Sequence, residues 1–183
     1  IVRWGLDSYP DLLAELGIER PLLVTTRRWD DLELSATARF SGVRQHVPQE
    51  TVEEAVAAAA GAGADGLVGL GGGSAIDTTK AASAATGLPV VSIPTTYSGA
   101  EWTRGFGIRD ERRGLKLGGS GARVEGIVYD PELTLGLPAD ETGGTALNAL
   151  AHSAEALYVA GRNPDADREA LAGARLIASS LPR

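Results

Sequence analysis

LVGLGGGSAIDTTK, residues 67–80, is the stretch on which the reading of this chain turns. An apolar run, Leu67 to Leu70, empties into three consecutive glycines, and Ser74 then opens a segment of helical composition. Glycine has no Cβ to obstruct φ > 0 or the close approach of a ligand, so Gly71, Gly72 and Gly73 permit a tight strand-to-helix turn. The free N–H groups and positive dipole end of the following helix favour an anion, above all a phosphate. The implied guest is a nucleotide, although the G-x-G-x-x-G spacing of the standard dinucleotide fingerprint is not met. A glycine-rich turn without a ligand is the plainer alternative.

Working outward, Leu88 to Ile93 (LPVVSI) reads as a short buried strand that ends in Pro94-Thr95-Thr96-Tyr97-Ser98-Gly99-Ala100-Glu101-Trp102-Thr103. Ligands of open parallel sheets bind beyond the carboxyl ends of neighbouring strands, so this hydroxyl-rich loop is placed to face the same guest as the glycines.

The rest of the chain alternates. Ile1 to Gly5 reads as a strand, Asp7 to Leu16 as a helix stopped by Gly17, and Pro21 to Thr25 as a second strand. Thr51-Val52-Glu53-Glu54 has the form of a capping box before an alanine-rich helix that stops near Gly61 and Gly63. Strand Gly66 to Leu70, helix Ser74 to Ala85 and strand Pro89 to Ile93 complete a βαβ rhythm, which specifies α/β architecture: a mainly parallel sheet covered by helices. From Gly105 to Val128 the rhythm breaks, and Phe106 to Arg109 with Leu115 to Leu117 read as a β-hairpin around residues 110–114. A strand from Gly126 to Tyr129 ends at Asp130-Pro131. After Pro138 the period is helical, with Ala146, Leu147, Leu150, Ala154, Leu157 and Tyr158 spaced for one buried face, and a last helix spans Asp165 to Ser180. These helices either cover the sheet or begin a second domain.

Composition excludes several classes of function. Lys and Arg number 17 against 24 Asp and Glu, a net charge of −7, and Arg27-Arg28 and Arg112-Arg113 are only pairs, so neither nucleic acid nor an anionic membrane is an expected partner. No apolar run reaches the roughly 18 residues needed to cross a bilayer, and no signal-like segment opens the chain. A soluble, cytoplasmic protein is expected. There are no cysteines, hence no disulfide and no thiolate metal site, and redox function would need a bound cofactor.

GGGSAIDTTKA followed by IPTTYSGAEWT, YDPELTLGLP and NALAHSAEALY resembles the iron-containing alcohol dehydrogenase superfamily and, within it, the maleylacetate reductases. Four motifs in the same order carry the resemblance. It extends from the Trp4-Gly5 strand to the helices near the end, yet covers only about the first half of such an enzyme. It implies a Rossmann-like nucleotide-binding domain, residues 1–137, and the beginning of an all-helical domain, residues 138–183, in a dehydroquinate synthase-like architecture. It also implies a small-molecule substrate and, by analogy with the family, a homodimer.

Residue by residue, the resemblance puts Gly72, Gly73 and Ser74 on the pyrophosphate of NADH or NADPH, with Asp77 one helical turn on shaping the site. Thr95 and Thr96 match threonines lining the adenine and nicotinamide sides, and Thr103 closes the same segment. Lys116 matches a lysine near the nicotinamide ribose, and Leu133 an apolar residue over the cofactor. Asp77 equally fits a surface helix charge, and a hairpin lysine is ordinarily exposed. In the family an aspartate after the second strand binds the ribose hydroxyls of NAD. Thr26 occupies that place here, with Arg27 and Arg28 beside it, so a 2′-phosphate is tolerated or even paired unless both arginines are simply solvated.

Iron-dependent members begin their metal site with an aspartate and a histidine four residues apart on one helix. Here the pair is Asn148 and His152, still on one helix face, but a neutral amide oxygen is a poorer ligand for a divalent metal than a carboxylate. The one other histidine, His46, reads as a surface residue, so no full metal site can be assembled and a metal is not expected to be required. Asn148 and Tyr97 both match the maleylacetate reductases, whose reaction is hydride delivery to the carbon–carbon double bond of maleylacetate, giving 3-oxoadipate. The enolate charge that develops needs a donor, for which His152 is the candidate; Arg104 is a weaker candidate for a substrate carboxylate. Three readings stand: a nicotinamide-dependent maleylacetate reductase, an alcohol or aldehyde dehydrogenase of the same superfamily, and a nucleotide-binding module without turnover.

Overall fold

The computed structural model describes residues 1–110 and 112–181, so Glu111 in the expected hairpin turn and residues 182 and 183 of the expected helical domain lie outside the described residues. The chain divides into two compact units. The first comprises Ile1–Thr95 and Ala100–Leu135; the second comprises Thr96–Gly99 and the chain from Gly136 onward.

The first unit is built on a six-stranded sheet. Its strands are β1 (Val2–Trp4), β2 (Pro21–Val24), β3 (Ala38–Phe40), β4 (Gly66–Gly71), β5 (Pro89–Pro94) and β8 (Arg123–Tyr129), in the order β1-β8-β5-β4-β2-β3. Every pairing is parallel, as the βαβ rhythm requires. Side chains of a strand alternate between its faces, and the core divides accordingly. Leu23, Val68, Leu70, Val91, Ile93 and Val128 point to α1 (Tyr9–Glu15), where they bury Tyr9, Leu12 and Leu13. Leu22, Val24, Leu67 and Val90 point the other way, onto Ala55 and Ala59 of α2 (Gln49–Gly61) and Ala82 of α3 (Gly73–Thr86). Leu22, Leu23 and Leu67 are wholly buried, each contributing about 1.5–3 kcal/mol of transfer free energy.

Two strand glycines set how closely the helices ride on the sheet. A Cβ on Gly69 would lie 2.7 Å from the Thr79 hydroxyl of α3, and one on Gly126 would lie 2.9 Å from a Leu12 methyl of α1. One therefore serves each face.

Several boundaries differ from the sequence reading. α2 begins at Gln49 after an extended Pro48, two residues before the expected cap. Thr51 caps nothing: it is buried in the first turn, and its hydroxyl accepts from Arg44 Nε at 2.6 Å, while the Arg44 guanidinium lies 3.6 Å from Glu54. β3 carries no strong alternation and was not anticipated; parallel pairing with β2 holds it, and the Arg39 guanidinium fastens its approach through the carbonyls of Trp29 and Leu32. The hairpin forms as β6 (Phe106–Asp110) and β7 (Leu115–Gly119), a two-stranded sheet of its own.

In the second unit, α4 (Ala139–Ala156) and α5 (Pro164–Ser180) pack on each other. Asn163 caps α5, its side chain accepting from the Ala166 amide at 2.9 Å. Of the face expected to be buried, Ala146 is buried, but Leu147 and Tyr158 are 58% and 75% exposed, because a helix pair has only one mutual seam. No described helix is long and apolar enough to cross a membrane.

Candidate functional site

At the carboxyl end of β4 the chain turns through Gly71 at φ +144°, where a Cβ would lie 2.8 Å from that of Ala75. Only glycine fits, for both reasons. Gly72 is the N-cap of α3 and has no side chain to cap with, so the first-turn amides of Gly73 and Ser74 keep their N–H groups for a ligand. This is the donor set that suits a diphosphate at a helix N-terminus.

The neighbouring strand ends flank the turn. The Thr25 hydroxyl, wholly buried after β2, donates to the Leu70 carbonyl at 2.9 Å, and the Thr95 amide after β5 donates to the Gly71 carbonyl at 3.0 Å. Three adjacent strand termini are thereby locked together. Thr26 starts the short helical turn Arg27–Trp29 in an extended conformation; Arg27 is exposed, and the Arg28 guanidinium lies 5.4 Å from the centre of the Trp29 ring.

His46 is exposed, as the sequence reading expected, and its backbone reaches the turn. It and Val47 adopt left-handed backbone angles, φ 65° and 55°, uncommon for residues with a Cβ. The His46 amide donates to the Ser74 hydroxyl at 3.2 Å.

Asp77 is engaged with the hairpin and with its own helix. One of its carboxylate oxygens accepts from the Gly107 amide at 3.2 Å, and the other lies 2.9 Å from Lys80 Nζ. Thr103 bonds Lys80 through its hydroxyl at 3.3 Å. Lys116 is exposed on β7, with its side chain lying across Gly107. Leu133 is buried in the core on the α1 face of the sheet.

The second unit brings together the remaining candidates. Asn148 Nδ2 donates to the Ser98 carbonyl at 3.2 Å, tying α4 to the Thr96–Gly99 segment. The neighbouring Tyr97 is half-exposed and lines an apolar pocket of about 360 Å³ with Thr142, Ala146, Ala149, Leu176 and Ile177. His152 is exposed, with Nδ1 3.3 Å from a Glu155 carboxylate oxygen. The Thr96 hydroxyl is buried without a hydrogen-bond partner. Among the described residues no three metal-ligating side chains come together.

A further polar cluster escaped the sequence reading. Glu101, buried, accepts from the Tyr129 hydroxyl at 2.6 Å, and that hydroxyl accepts from Trp102 Nε1 at 2.7 Å. Burial, reinforced by the Glu101 carboxylate, pushes the Tyr129 phenol well above its usual range, and the Trp102 N–H opposes the shift. The signal was present in AEWT and VYD, but nothing in either segment pairs the residues across 28 positions.

The model of the iron-containing alcohol dehydrogenase family matches residues 5–125. A maleylacetate reductase from Burkholderia cepacia is 45% identical over 98% of this chain and 54% of its own length. The crystal structure of a maleylacetate reductase from Agrobacterium tumefaciens superposes with a TM-score of 0.88 at 36% identity, covering 99% of this chain and 55% of that one. At 23% identity, sulfoacetaldehyde reductase from Bifidobacterium kashiwanohense, solved with NAD+, shares the fold with a TM-score of 0.87 over 99% of this chain and 57% of its own. The chain thus spans about half the length of the relatives it matches. With a parallel sheet, a glycine turn at the end of β4 and this agreement along nearly all of its residues, the chain belongs to the iron-containing alcohol dehydrogenase family.

Proposed function

We propose that the protein is an NAD(P)H-dependent oxidoreductase acting on maleylacetate, with residues 1–137 as its nucleotide-binding domain and residues from 138 onward as the beginning of a helical one. The observation that carries the coenzyme assignment is the uncapped glycine turn at Gly71–Ser74, held between the ends of β2 and β5. Similarity to maleylacetate reductases favours that substrate over a simple alcohol or aldehyde.

In this reading the amides of Gly73 and Ser74 hold the pyrophosphate, supported by the Gly72 turn and by the Ser74 hydroxyl. The adenosine half lies toward Thr26 and Arg27, where the absence of a carboxylate after β2 accommodates either NADH or NADPH. The resemblance assigns Thr95 and Thr96 to the adenine and nicotinamide sides of the coenzyme, and Lys116, with Thr103, to its nicotinamide half. When bound, the coenzyme supplies a hydride to the substrate double bond. In the second unit, His152 donates the proton or hydrogen bond that meets the charge developing on the substrate oxygen, Asn148 fixes the Tyr97–Ser98 segment, and Tyr97 bounds the substrate pocket. The neutral amide of Asn148 is what supports a reaction with no metal requirement. The proposal extends to a cytoplasmic homodimer that takes a small-molecule substrate.

The test is oxidation of NADH and NADPH by the complete protein, followed at the nicotinamide absorbance, with maleylacetate against simple aldehydes, before and after treatment with a chelator. Turnover of maleylacetate that survives chelation is expected. Turnover of aldehydes alone would install the alcohol dehydrogenase reading, and coenzyme binding without any turnover the binding-module reading.

A further inference from the structure

Lys80 is the most deeply buried cation of the described residues, 1% exposed in the middle of α3, and the reaction as outlined does not use it. Its ammonium is surrounded by oxygens. Nζ donates to the Ala100 carbonyl at 2.7 Å, to the Gly105 carbonyl and to the Thr103 hydroxyl at 3.3 Å, and it lies 2.9 Å from Asp77. Taking an ammonium out of water costs several kcal/mol, so such a group persists only where its protons are all engaged. Here the partners share one property. Apart from Asp77, every one lies in the segment from Ala100 to Gly105, and Asp77 itself accepts from Gly107.

That segment needs an anchor. β6 and β7 form a two-stranded sheet of their own, with one isolated parallel bridge from Arg109 to Pro48 and, among the described residues, no ladder to the main sheet, and an isolated hairpin is marginally stable in water. Arg109 donates its amide to the Val47 carbonyl at 2.9 Å, and Phe106 and Ile108 pack on Val47, Val52 and Ala81. The Asp77 carboxylate and the Lys80 ammonium add charged contacts, gripping Gly105 and Gly107 on either side of Phe106. Gly107 is also where the Lys116 side chain crosses the hairpin: a Cβ there would meet Lys116 Cε at 2.8 Å. Fixing Gly107 therefore fixes the path of Lys116.

The geometry points to Asp77 and Lys80 as positioning residues: a charged clasp on α3 that docks the hairpin and holds Thr103 and Lys116 in place for the nicotinamide half of the coenzyme. The inference rests on the coenzyme reading above. It deepens that reading by separating two parts of the site, the glycine turn that serves the diphosphate and the clasped segment that serves the opposite end of the molecule.

The separation supplies the test. ADP presents the diphosphate and adenosine alone; NADH presents both ends, and the fluorescence of its reduced nicotinamide reports that end directly. In the complete protein, Lys80→Met is expected to leave the affinity for ADP within about twofold and to weaken NADH by roughly tenfold or more, the size of a lost hydrogen bond to a charged group, with loss of the nicotinamide fluorescence enhancement. In a Lys116→Ala background the same substitution is expected to weaken NADH by less than it does in the wild type, because one of the two residues it positions is already gone. Asp77→Asn, which keeps an acceptor for Gly107 but not the charge, gives the same pattern in milder form and serves where Lys80→Met does not fold. ADP and NADH weakened in parallel would make the pair a general scaffold and overturn the inference, as would unchanged NADH binding. A wild-type protein that binds neither ligand would instead overturn the coenzyme reading, and the clasp with it.

Discussion

Gly71→Ala is the smallest change that tests the turn. The backbone there has φ +144°, a region open essentially to glycine, and holding an alanine in it costs about 1–3 kcal/mol. The new methyl would lie 2.8 Å from Ala75 Cβ, where ordinary contact begins at 3.4 Å. Neither atom is the far end of a flexible chain, so the backbone must give, at an overpacking cost of about 1–3 kcal/mol. The sum, about 2–6 kcal/mol, exceeds what the turn can absorb unmoved, and relaxation carries Gly72 and the first turn of α3 away from the ends of β2 and β5. A displacement approaching 1 Å lowers the performance of a positioned site by about 100-fold. We therefore expect the NADH dissociation constant of Gly71→Ala to rise by about 100-fold in a fluorescence titration, together with a lower urea midpoint at unchanged m-value. If the variant bound NADH as the wild type does while its midpoint fell, the turn would be a structural joint with no coenzyme upon it. If neither changed, the conformational argument itself would be refuted.

Tyr9, buried with its hydroxyl donating to the Ser35 carbonyl at 2.8 Å, is pushed well above the ordinary phenol value by burial. The folded state thus favours the neutral phenol. This contribution to stability is fully present below pH about 10, where the unfolded phenol begins to ionise, and is lost as pH rises further. Tyr9→Phe should cost about 1 kcal/mol at neutral pH and flatten the decline above pH 10 in urea melts; equal slopes for variant and wild type would discount the burial. Asn148→Asp removes the donor to Ser98 and sets a carboxylate against a carbonyl oxygen, a loss of about 1–2 kcal/mol, while creating a harder ligand beside His152. Calorimetry of the complete protein with Zn2+ or Fe2+ should show tighter binding than the wild type; no gain would mean that a carboxylate is not what position 148 lacks.

The centre of the sheet was legible because β2, β4 and β5 are largely apolar runs of four to six residues bounded by glycine, proline and threonine, and because LVGLGGGS joins a strand to a helix with no room for another reading. What escaped followed from tertiary partners. β3 is held by its neighbour and by Arg39, neither visible locally. Thr51 met the pattern of a cap, yet a helix begun at Gln49 left it inside the first turn, where Arg44 claims its hydroxyl. Val47 carries no mark of a left-handed backbone, since a β-branched residue rarely adopts one, and His46, although tolerant of it, is no signal by itself. Lys80 was legible in part: it lies one turn from Asp77, among alanines and threonines that mark a buried helix, and the missing knowledge was which carbonyls would surround it.

The two glycines that let α1 and α3 settle onto opposite faces of the sheet also narrow what mutation can explore. At Gly69 a side chain would press on both the Thr79 hydroxyl at 2.7 Å and the Thr79 Cβ at 3.1 Å, close to the helix backbone, whereas at Gly126 it would meet only the δ-methyl end of Leu12, which can turn aside; Gly69 is the stricter of the two. In a saturation library selected for folding, the Gly69 codon should be depleted of every larger residue more strongly than the Gly126 codon, and replacements at Gly69 should be enriched alongside a smaller residue at Thr79.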